Sequence, residues 1–434
     1  MLALAQMARS PRQPVRVVLL LALTIGFTLF SLVLLASQRQ HATDVVAYET
    51  GADFSGIIPQ HLYNLTPHNQ IVPYLTIPGV VAASAGYSRS GTVGNLNITA
   101  RNVQIRAVDT STFANTIIQP EGTTSLNTLM SLLASKHTYG VTNTTVPVVI
   151  DNGTLKQLSL HIGSTFQLSL NNQLISNLNC LVVGSINYIP TMSDSLSDTP
   201  SVASQGGILA DYQTYADVYA QNVTRLLGKG EDIIPLNYMW LRTRSDAASL
   251  AHVRTALTTF PLQLDALQDR RALLENALTD PVFSTLTGVL TTGIVAILIL
   301  VSMGSLLASW LSVRKRMTNV AVLRALGLSI REVGAMLLWE QGCIYGVGLL
   351  LGILLGGVQS LTVIPRLIGN TRSANLSEGA FSALQSVLPV RVVFPLSLSS
   401  IFVGVMLLLA IMLGIMIYFM SRPALNTSLR LNED

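Results

Sequence analysis

Four long uncharged stretches dominate the pattern of apolar and polar positions along the chain. They contain 21, 33, 25 and 30 residues and cover positions 17–37, 281–313, 341–365 and 392–421. A helix rises about 1.5 Å per residue, so roughly 20 apolar residues cross the ~30 Å hydrocarbon layer of a bilayer. The pattern therefore predicts four transmembrane helices, at residues 17–37, 283–310, 334–363 and 394–420.

The segment between the first two stretches, residues 38–280, alternates strand-like and helix-like patterns. Runs of β-branched and apolar residues at 146–150 and 165–170 have the length and composition of strands. Apolar residues three and four apart predict helices, among them one at 267–278 that leads into the second apolar stretch. We therefore expect a membrane protein with a large α+β domain between its first two helices. A division into two lobes is expected at the polar stretch 190–207.

Composition and charge support a membrane protein. Only 11% of the residues are charged, half are apolar, and the mean hydropathy is +0.50. Residues 1–16, 314–332 and 422–434 together hold ten Lys or Arg in 48 residues. Segment 38–280 holds thirteen Lys or Arg against seventeen acids. The basic residues are therefore concentrated in the short segments that flank the apolar stretches.

Basic loops stay in the cytoplasm, which orients the four helices. The N-terminal stub 1–16, the loop 311–333 and the tail 421–434 are expected inside, and segments 38–280 and 364–393 outside. The first stretch exceeds the ~7–15 apolar residues of a signal peptide, so we expect a retained anchor. The predicted location is the cell (plasma or inner) membrane, in contact with lipid and with both termini cytoplasmic. The basic pI of about 9.1 then requires no nucleic-acid partner.

Candidate catalytic chemistry is scarce in the sequence. The six histidines are scattered and no HExxH or CxxC spacing occurs. The two cysteines, Cys180 and Cys343, fall in different predicted compartments and form no disulfide framework. The pair Gly228-Lys229 lacks the GxxxxGK[ST] frame of a phosphate-binding loop. We therefore expect a non-catalytic chain with no catalytic residues, metal or cofactor of its own.

The third apolar stretch carries glycines four residues apart. One set is Gly342 and Gly346, and the other is Gly348, Gly352 and Gly356. Glycines at this spacing lie on one helix face and let a second backbone approach closely in lipid. We expect helix packing on this face, either within the subunit or across a dimer. No polar residue recurs at mid-depth in any stretch, which disfavours a hydrophilic solute path.

A short basic segment, residues 314–333, lies between the second and third stretches. Its pattern predicts a short amphipathic helix that ends at Gly327, and Ser329 with Glu332 forms a capping box for the next helix. The short helix is either an interfacial anchor on anionic lipid headgroups or a handle for a cytoplasmic partner. Glu340 is expected as an interfacial acid, either solvated or paired with an arginine of this segment.

The stretch RKRMTNVAVLRALGLSIREVGAMLLWEQ, residues 314–341, resembles the signature of MacB/FtsX-like (type VII) permeases of the ABC transporter superfamily. That family has one transmembrane helix, a large external domain and then three more helices, which is the order predicted above. The similarity is strongest over 265–360. Residues 9–55 resemble the start of the second half of larger permeases with two such modules. The resemblance implies one permease module whose partner is a second copy or a complementary permease half.

In that family, the loop between the second and third transmembrane helices contacts a separate ATPase subunit. The resemblance implies ATPase coupling for six residues here: Arg316, Arg324, Ala325, Leu326, Gly327 and Arg331. Relatives often carry a glutamate five residues before the arginine of the LRALG motif, whereas this chain has Asn319. Any salt bridge made by that glutamate is therefore missing or rebuilt here.

The resemblance also implies a function. A permease subunit of this type couples ATP hydrolysis by the partner ATPase, which binds ATP and Mg²⁺, to movement of the extracytoplasmic domain. The output is either export of a lipophilic or peptide cargo or mechanotransmission to an extracytoplasmic envelope partner. The alternative is a membrane-anchored binding or sensor protein without ATPase coupling, whose helices only hold the external domain.

Overall fold

The computed structural model describes most of the chain up to residue 369 and isolated positions beyond it. The described residues are 12–63, 65–93, 101–118, 125–134, 145–170, 177–187, 189–191, 206–227, 234–325, 330–369, 388, 390–395 and single helical positions between 399 and 414. The chain divides into two compact units. The membrane unit comprises Met1–His41, Thr279–Thr371 and Pro389–Asp434, and the α+β domain comprises Ala42–Leu278 and Arg372–Leu388.

Ten α-helices and nine strands are present among the described helical and extended segments. The helices are α1 (Arg12–Thr50), α2 (Pro67–Leu75), α3 (Phe113–Thr116), α4 (Leu126–Ala134), α5 (Asn152–Gln157), α6 (Tyr212–Leu227), α7 (Ala247–Thr258), α8 (Arg270–Thr279), α9 (Pro281–Ala325) and α10 (Ile330–Gly369). The strands are β1 (Phe54–Ile57), β2 (Val80–Val93), β3 (Arg101–Val108), β4 (Thr145–Asp151), β5 (Thr165–Leu170), β6 (Asn177–Ile186), β7 (Gly206–Asp211), β8 (Tyr238–Thr243) and β9 (Asp265–Asp269).

Three helices within the described residues are long and apolar enough to cross a membrane. They are Val15–Thr50 in α1, Phe283–Gly304 in α9 and Trp339–Ile368 in α10. An α+β domain follows the first of them, as the sequence predicts. Most of the fourth predicted helix, residues 394–420, lies outside the described residues.

The directions of these three helices follow from which residues meet. Leu21 of α1 lies beside Gly348 of α10, and Leu29 lies beside Gly356, so α1 and α10 run parallel. On α9 the order is reversed, because Val301 packs in the cluster of Leu21 whereas Leu290 packs in that of Leu29. Helix α9 is therefore antiparallel to both neighbours. Successive helices of this bundle therefore alternate in direction.

Helix α9 continues well beyond the second apolar stretch. It is 45 residues long and ends at Ala325, so it spans about 67 Å, whereas the hydrocarbon layer is about 30 Å thick. The separate short helix expected in the 314–333 segment is therefore a direct continuation of α9. The sequence between Val313 and Ala325 contains no glycine or proline and is rich in helix-forming residues, so nothing interrupts the helix there.

The first lobe of the α+β domain is built from the two ends of the domain sequence. Its strands lie in the order β2-β8-β1-β9 with antiparallel pairing throughout. Helix α2 connects β1 to β2, and α7 connects β8 to β9, which is the split βαβ arrangement. Phe54, Tyr74, Leu241 and Val253 pack in the core that the strands share with α2 and α7.

The second lobe is inserted between β2 and β8. Six strands close into a ring in the order β3-β7-β4-β6-β5-β2, because β2 pairs with both β3 and β5. The β3–β7 and β4–β6 pairings are parallel and the remaining four are antiparallel. Alternate residues of β5, Phe166, Leu168 and Leu170, are buried in its core, which is the period that a half-buried strand requires.

The lobes do not divide at the polar stretch 190–207, where the sequence suggested a boundary. Ile189 before that stretch and Leu209 in β7 after it pack in the same core. The division runs instead along β2 and before β8. Because β1, β8 and β9 pair across about 200 residues of sequence, local patterns of polarity do not reveal this boundary.

Candidate functional site

The predicted ATPase-coupling residues lie at the junction of α9 and α10. Arg316, Arg324 and Ala325 lie in the last turns of α9, and Arg331 is the second residue of α10. Leu326 and Gly327 lie outside the described residues, and so do the side chains of residues 311–338. The backbone therefore places only the helix ends at Ala325 and Ile330, and contact with an ATPase stays a prediction.

The second set of glycines on α10 lies directly against α1. A Cβ atom on Gly348 would lie 2.7 Å from Leu21 Cδ2, one on Gly352 2.7 Å from Ile25 Cβ, and one on Gly356 2.8 Å from the carbonyl oxygen of Gly26. Real Cβ atoms do not approach so closely, so a side chain at Gly352 or Gly356 would force the two backbones apart, whereas one at Gly348 would require the Leu21 side chain to move. This face packs within the subunit.

The same face continues along α10 from Glu340 to Ile368. Every fourth residue from Glu340 to Ile368 is buried, and Glu340 itself is only 3% exposed. Glu340 is therefore a buried acid rather than a solvated one. Gly342 and Gly346 lie on another side of the helix, where no described heavy atom comes within 4 Å of the Cβ position.

In the α+β domain, Asp53 lies where the chain leaves α1 and enters β1. Its Oδ1 atom accepts a hydrogen bond from Arg270 Nη2 at 2.9 Å and lies 3.3 Å from Arg271 Nη2. Its Oδ2 atom accepts the backbone N–H of Thr243 at 2.9 Å, and its carbonyl oxygen accepts the N–H of Arg270 at 3.0 Å. The carboxylate is 5% exposed. One buried acid thus connects β1, β8 and the start of α8.

The local sequence explains how this Asp53 cluster forms. Gly51 has φ +70°, the left-handed conformation that ends a helix, and its N–H donates to Ala47 at 2.9 Å. A Cβ there would lie 2.1 Å from Thr191 Cγ2, so glycine is required. Strand β1 then pairs with β9 in a register that sets Phe54 opposite Asp269. The entry and exit of the domain therefore meet side by side.

An open surface depression of about 550 Å³ lies beside the Asp53 cluster. It is lined by Asp53, Ile118, Arg242, Thr243, Arg244, Ser245, Asp246, Arg270 and Arg271. Asp246 caps α7 by accepting the N–H of Ser249 at 3.0 Å, and this hydrogen bonding lowers the pKa of its carboxyl group. Arginine and hydroxyl donors suit an anion, and the described residues contain no group of three side chains that could hold a metal ion.

Sequence reasoning missed the Asp53 cluster entirely. Arg270 and Arg271 lie inside the helix predicted at 267–278, whereas the structure ends strand β9 at Asp269 and begins α8 at Arg270. Asp53 lies beyond the first predicted membrane helix, and Asp53 and Arg270 are 217 residues apart. The only local signal is the pair of adjacent arginines at the start of α8. A paired buried acid could have been suspected from them but not identified.

Comparison with known proteins identifies the C-terminal part of the chain. Residues 291–424 match the model of the family described as FtsX-like permease C-terminal. The matched part includes most of α9 and all of α10. The resemblance to MacB/FtsX-like permeases is thereby confirmed. A search of curated proteins with the sequence finds no match.

Two solved structures resemble part of the chain weakly. The periplasmic region of MacB from Actinobacillus actinomycetemcomitans is 10% identical in sequence to the matched part. The match covers 53% of this chain and 95% of the MacB region, with a TM-score of 0.30. The extracellular domain of the noncanonic ABC-type transporter YknZ from Gram-positive bacteria is 11% identical, with 50% and 97% covered and a TM-score of 0.26. Scores this low do not establish a common fold.

Proposed function

We propose that this chain is the permease subunit of an ABC transporter of the MacB/FtsX type. It couples ATP hydrolysis by a separate ATPase, which holds the ATP and Mg²⁺, to movement of its α+β domain. The observation that carries the proposal is the FtsX-like permease C-terminal match over residues 291–424. The chain itself performs no catalysis and pairs with a second copy or a complementary permease half.

The directions of the three helices support the predicted orientation. Because α1 and α10 run parallel, the starts of these two helices, at Arg12 and Ile330, would face the same side of the membrane. The sequence around both starts is basic, which favours the cytoplasm for that side. An ATPase in the cytoplasm would then reach Arg324 and Arg331, whereas the α+β domain would lie outside.

The Asp53 cluster supports a mechanical role for the domain. The chain enters the domain at Asp53 and leaves it along α8 from Arg270, and these two points are joined by the buried ion pair. A displacement of either connection therefore acts on both β1 and α8. ATP binding would shift the population between two positions of the α9–α10 junction, and the domain would follow. Export of a lipophilic or peptide cargo and signalling to an envelope partner would use the same movement.

Co-purification from the native host tests this function. The tagged full chain in detergent should retain an ATPase with a Walker motif, identified by mass spectrometry, and the complex should hydrolyse ATP. Arg324→Glu should abolish both, because it reverses the charge at the proposed contact. Arg366→Glu is the matched control, since Arg366 is exposed in the last turn at the other end of α10.

Two outcomes contradict the proposal. Loss of the ATPase in both variants would show that the effect is not specific to the α9–α10 junction. Absence of any ATPase from a folded wild-type chain would instead favour a membrane-anchored binding or sensor protein.

A further inference from the structure

Residues on three helices of the membrane unit mark one level of the bundle. Leu21 of α1 packs beside Gly348 of α10 and in one cluster with Val301 of α9, so these residues form one layer. The residues nine positions from this layer, toward the start of α1 and α10 and the end of α9, are Arg12, Trp339 and Trp310. Because a helix rises about 1.5 Å per residue, all three lie about 13 Å from the layer and therefore at about the same level.

This level is the end of the apolar part of the three helices. The candidate spans begin at Val15 in α1 and at Trp339 in α10, and the uncharged stretch of α9 ends at Val313. Trp339 is 72% exposed. Tryptophan is enriched where the hydrocarbon layer meets the lipid headgroups, since its ring is apolar and its N–H is polar. Trp310 and Trp339 therefore mark this boundary on the side where α9 ends and α10 begins.

Positive charge is concentrated at this boundary and just outside it. Three consecutive basic residues follow Trp310 by four to six positions in the unbroken helix α9, which places them about 6–9 Å farther out. Helix α1 adds Arg12 at the boundary and an exposed arginine one turn deeper, whose long side chain can extend toward the headgroups. The basic collar formed by these five residues consists of Arg12, Arg16, Arg314, Lys315 and Arg316.

Few acids offset the basic collar. Residues 1–37 and 281–331 contain no aspartate or glutamate. On α10, Glu332 follows directly on Arg331, whose charge balances it, and Glu340 is only 3% exposed. With Glu340 counted against the collar, five cations less one acid still leave four positive charges. The collar therefore attracts anions.

We propose that the basic collar binds the headgroups of anionic phospholipids such as phosphatidylglycerol. The phosphate groups of these lipids lie directly outside the hydrocarbon layer, which is the level of the collar. Lysine and arginine near an anionic membrane surface are attracted by its negative potential, and arginine binds phosphate oxygens through paired N–H donors. The two tryptophans at the boundary hold the helices at this depth. Charge and depth therefore both match this class of lipid.

The unbroken helix α9 separates the collar from the predicted ATPase contact. Arg324 lies eight residues beyond Arg316, or about 12 Å farther along the helix axis. The headgroup region of one leaflet is only about 5–8 Å thick. Lipid would therefore bind the near part of the basic segment, and Arg324 would extend beyond the headgroups toward a cytoplasmic protein. The lipid site requires no ATPase, so its failure would leave the proposed permease function untouched.

Quenching of tryptophan fluorescence by brominated lipids tests the collar in the full chain without an ATPase. The chain is reconstituted in phosphatidylcholine vesicles with increasing fractions of phosphatidylcholine or phosphatidylglycerol that carry bromine near the carboxyl end of their acyl chains. Trp310 and Trp339 report the lipids beside the collar, whereas Trp240 is fully buried in the α+β domain and gives a constant background. The wild type should favour phosphatidylglycerol over phosphatidylcholine about tenfold or more.

Neutral substitutions on α9 locate the binding site. Arg314→Gln should lower the preference for phosphatidylglycerol about fivefold, and Arg314→Gln combined with Lys315→Gln should lower it further. Arg324→Gln is the matched control, because it removes the same charge from the same helix beyond the headgroup region, and it should leave the preference unchanged. Equal quenching of all variants by brominated phosphatidylcholine shows that each is inserted in the bilayer like the wild type.

Three results would overturn the lipid site. The first is equal quenching of the wild type by both brominated lipids. The second is a full preference for phosphatidylglycerol in the variants at Arg314 and Lys315. The third is a loss in Arg324→Gln as large as that in Arg314→Gln, because the net charge of the chain rather than the collar would then explain the preference.

Discussion

Two contacts join distant parts of this chain, and they use opposite chemistry. The glycine face of α10 meets the backbone and the large apolar side chains of α1, without a charged group at Gly348, Gly352 or Gly356. The Asp53 cluster joins β1 to α8 through one buried carboxylate and two guanidinium groups. In lipid, an apolar side chain gains little free energy when it exchanges contact with lipid for contact with another helix. Close packing of the two backbones is therefore what favours helix association. In the α+β domain, a buried carboxylate is stable only with compensating donors.

The two contacts should therefore fail for different reasons. The glycine face depends on the absence of volume, so adding a side chain should break it while removing charge nearby should not. The Asp53 cluster depends on a balance of charge, so removing the carboxylate should break it although the space it leaves is small.

The largest effect is expected for Asp53→Ala. It leaves Arg270 and Arg271 next to a buried space without their carboxylate, and breaking a buried ion pair on one side costs about 3 kcal/mol. The free energy of unfolding can be followed by the fluorescence of Trp240, which is fully buried in the domain, in a chain with Trp310 and Trp339 replaced by Phe. Asp265→Ala is the control, because that acid is exposed in β9. Equal losses in both variants would show that the Asp53 cluster does not hold the domain.

A smaller loss of stability is expected when a side chain is added on the glycine face of α10. Gly356→Val places a Cβ 2.8 Å from the carbonyl oxygen of Gly26 and 3.0 Å from its Cα, and backbone atoms cannot rotate aside. Overpacking of this kind costs about 2 kcal/mol. Gly357→Val should cost much less, because no described heavy atom lies within 4 Å of that position.

The pair of glycine variants has the same helix propensity, so only packing distinguishes them. Thermal unfolding of the full chain in detergent measures the stability of both variants. A midpoint that falls equally in the two variants would mean that α10 does not depend on contact with α1.

The contrast also explains what the sequence could predict. The apolar stretches and the spacing of Gly348, Gly352 and Gly356 are local patterns, so three membrane helices, the α+β domain and a packing face could be predicted before the structure. The partner of that face could not, because α1 lies about 300 residues earlier. The Asp53 cluster depends on the pairing of β1 with β8 and β9, and no local pattern encodes a pairing over that distance.

An exposed charged group should contribute less to the free energy of unfolding than a buried one. Asp246 caps α7, and its hydrogen bonds with Ser249 lower the pKa of its carboxyl group. A lowered pKa means that the folded state favours the ionised form. The stabilisation is therefore complete above the usual pKa of about 3.9 and is lost as the pH falls through the lower folded-state value.

Asp246→Ala should accordingly reduce the free energy of unfolding slightly at pH 7, and the difference from wild type should shrink below about pH 4. Asp246→Asn retains an acceptor for the N–H of Ser249, so it should keep most of the stability at both pH values. Urea unfolding at pH 7 and pH 3 measures these differences. A loss in the alanine variant that is the same at both pH values would show that ionisation of Asp246 contributes nothing.

The smallest effect is expected for Arg254→Gln. Arg254 Nη2 lies 2.7 Å from Asp269 Oδ2, but its side chain is 49% exposed, and an exposed ion pair contributes about 0.2–1 kcal/mol. The Debye length falls from about 10 Å at 0.1 M salt to about 3 Å at 1 M, so 1 M NaCl should remove much of this contribution. The loss caused by Asp53→Ala should persist at 1 M NaCl, because the carboxylate is buried. If salt reduced both losses equally, the Asp53 cluster would behave as a surface ion pair, and burial would no longer distinguish it.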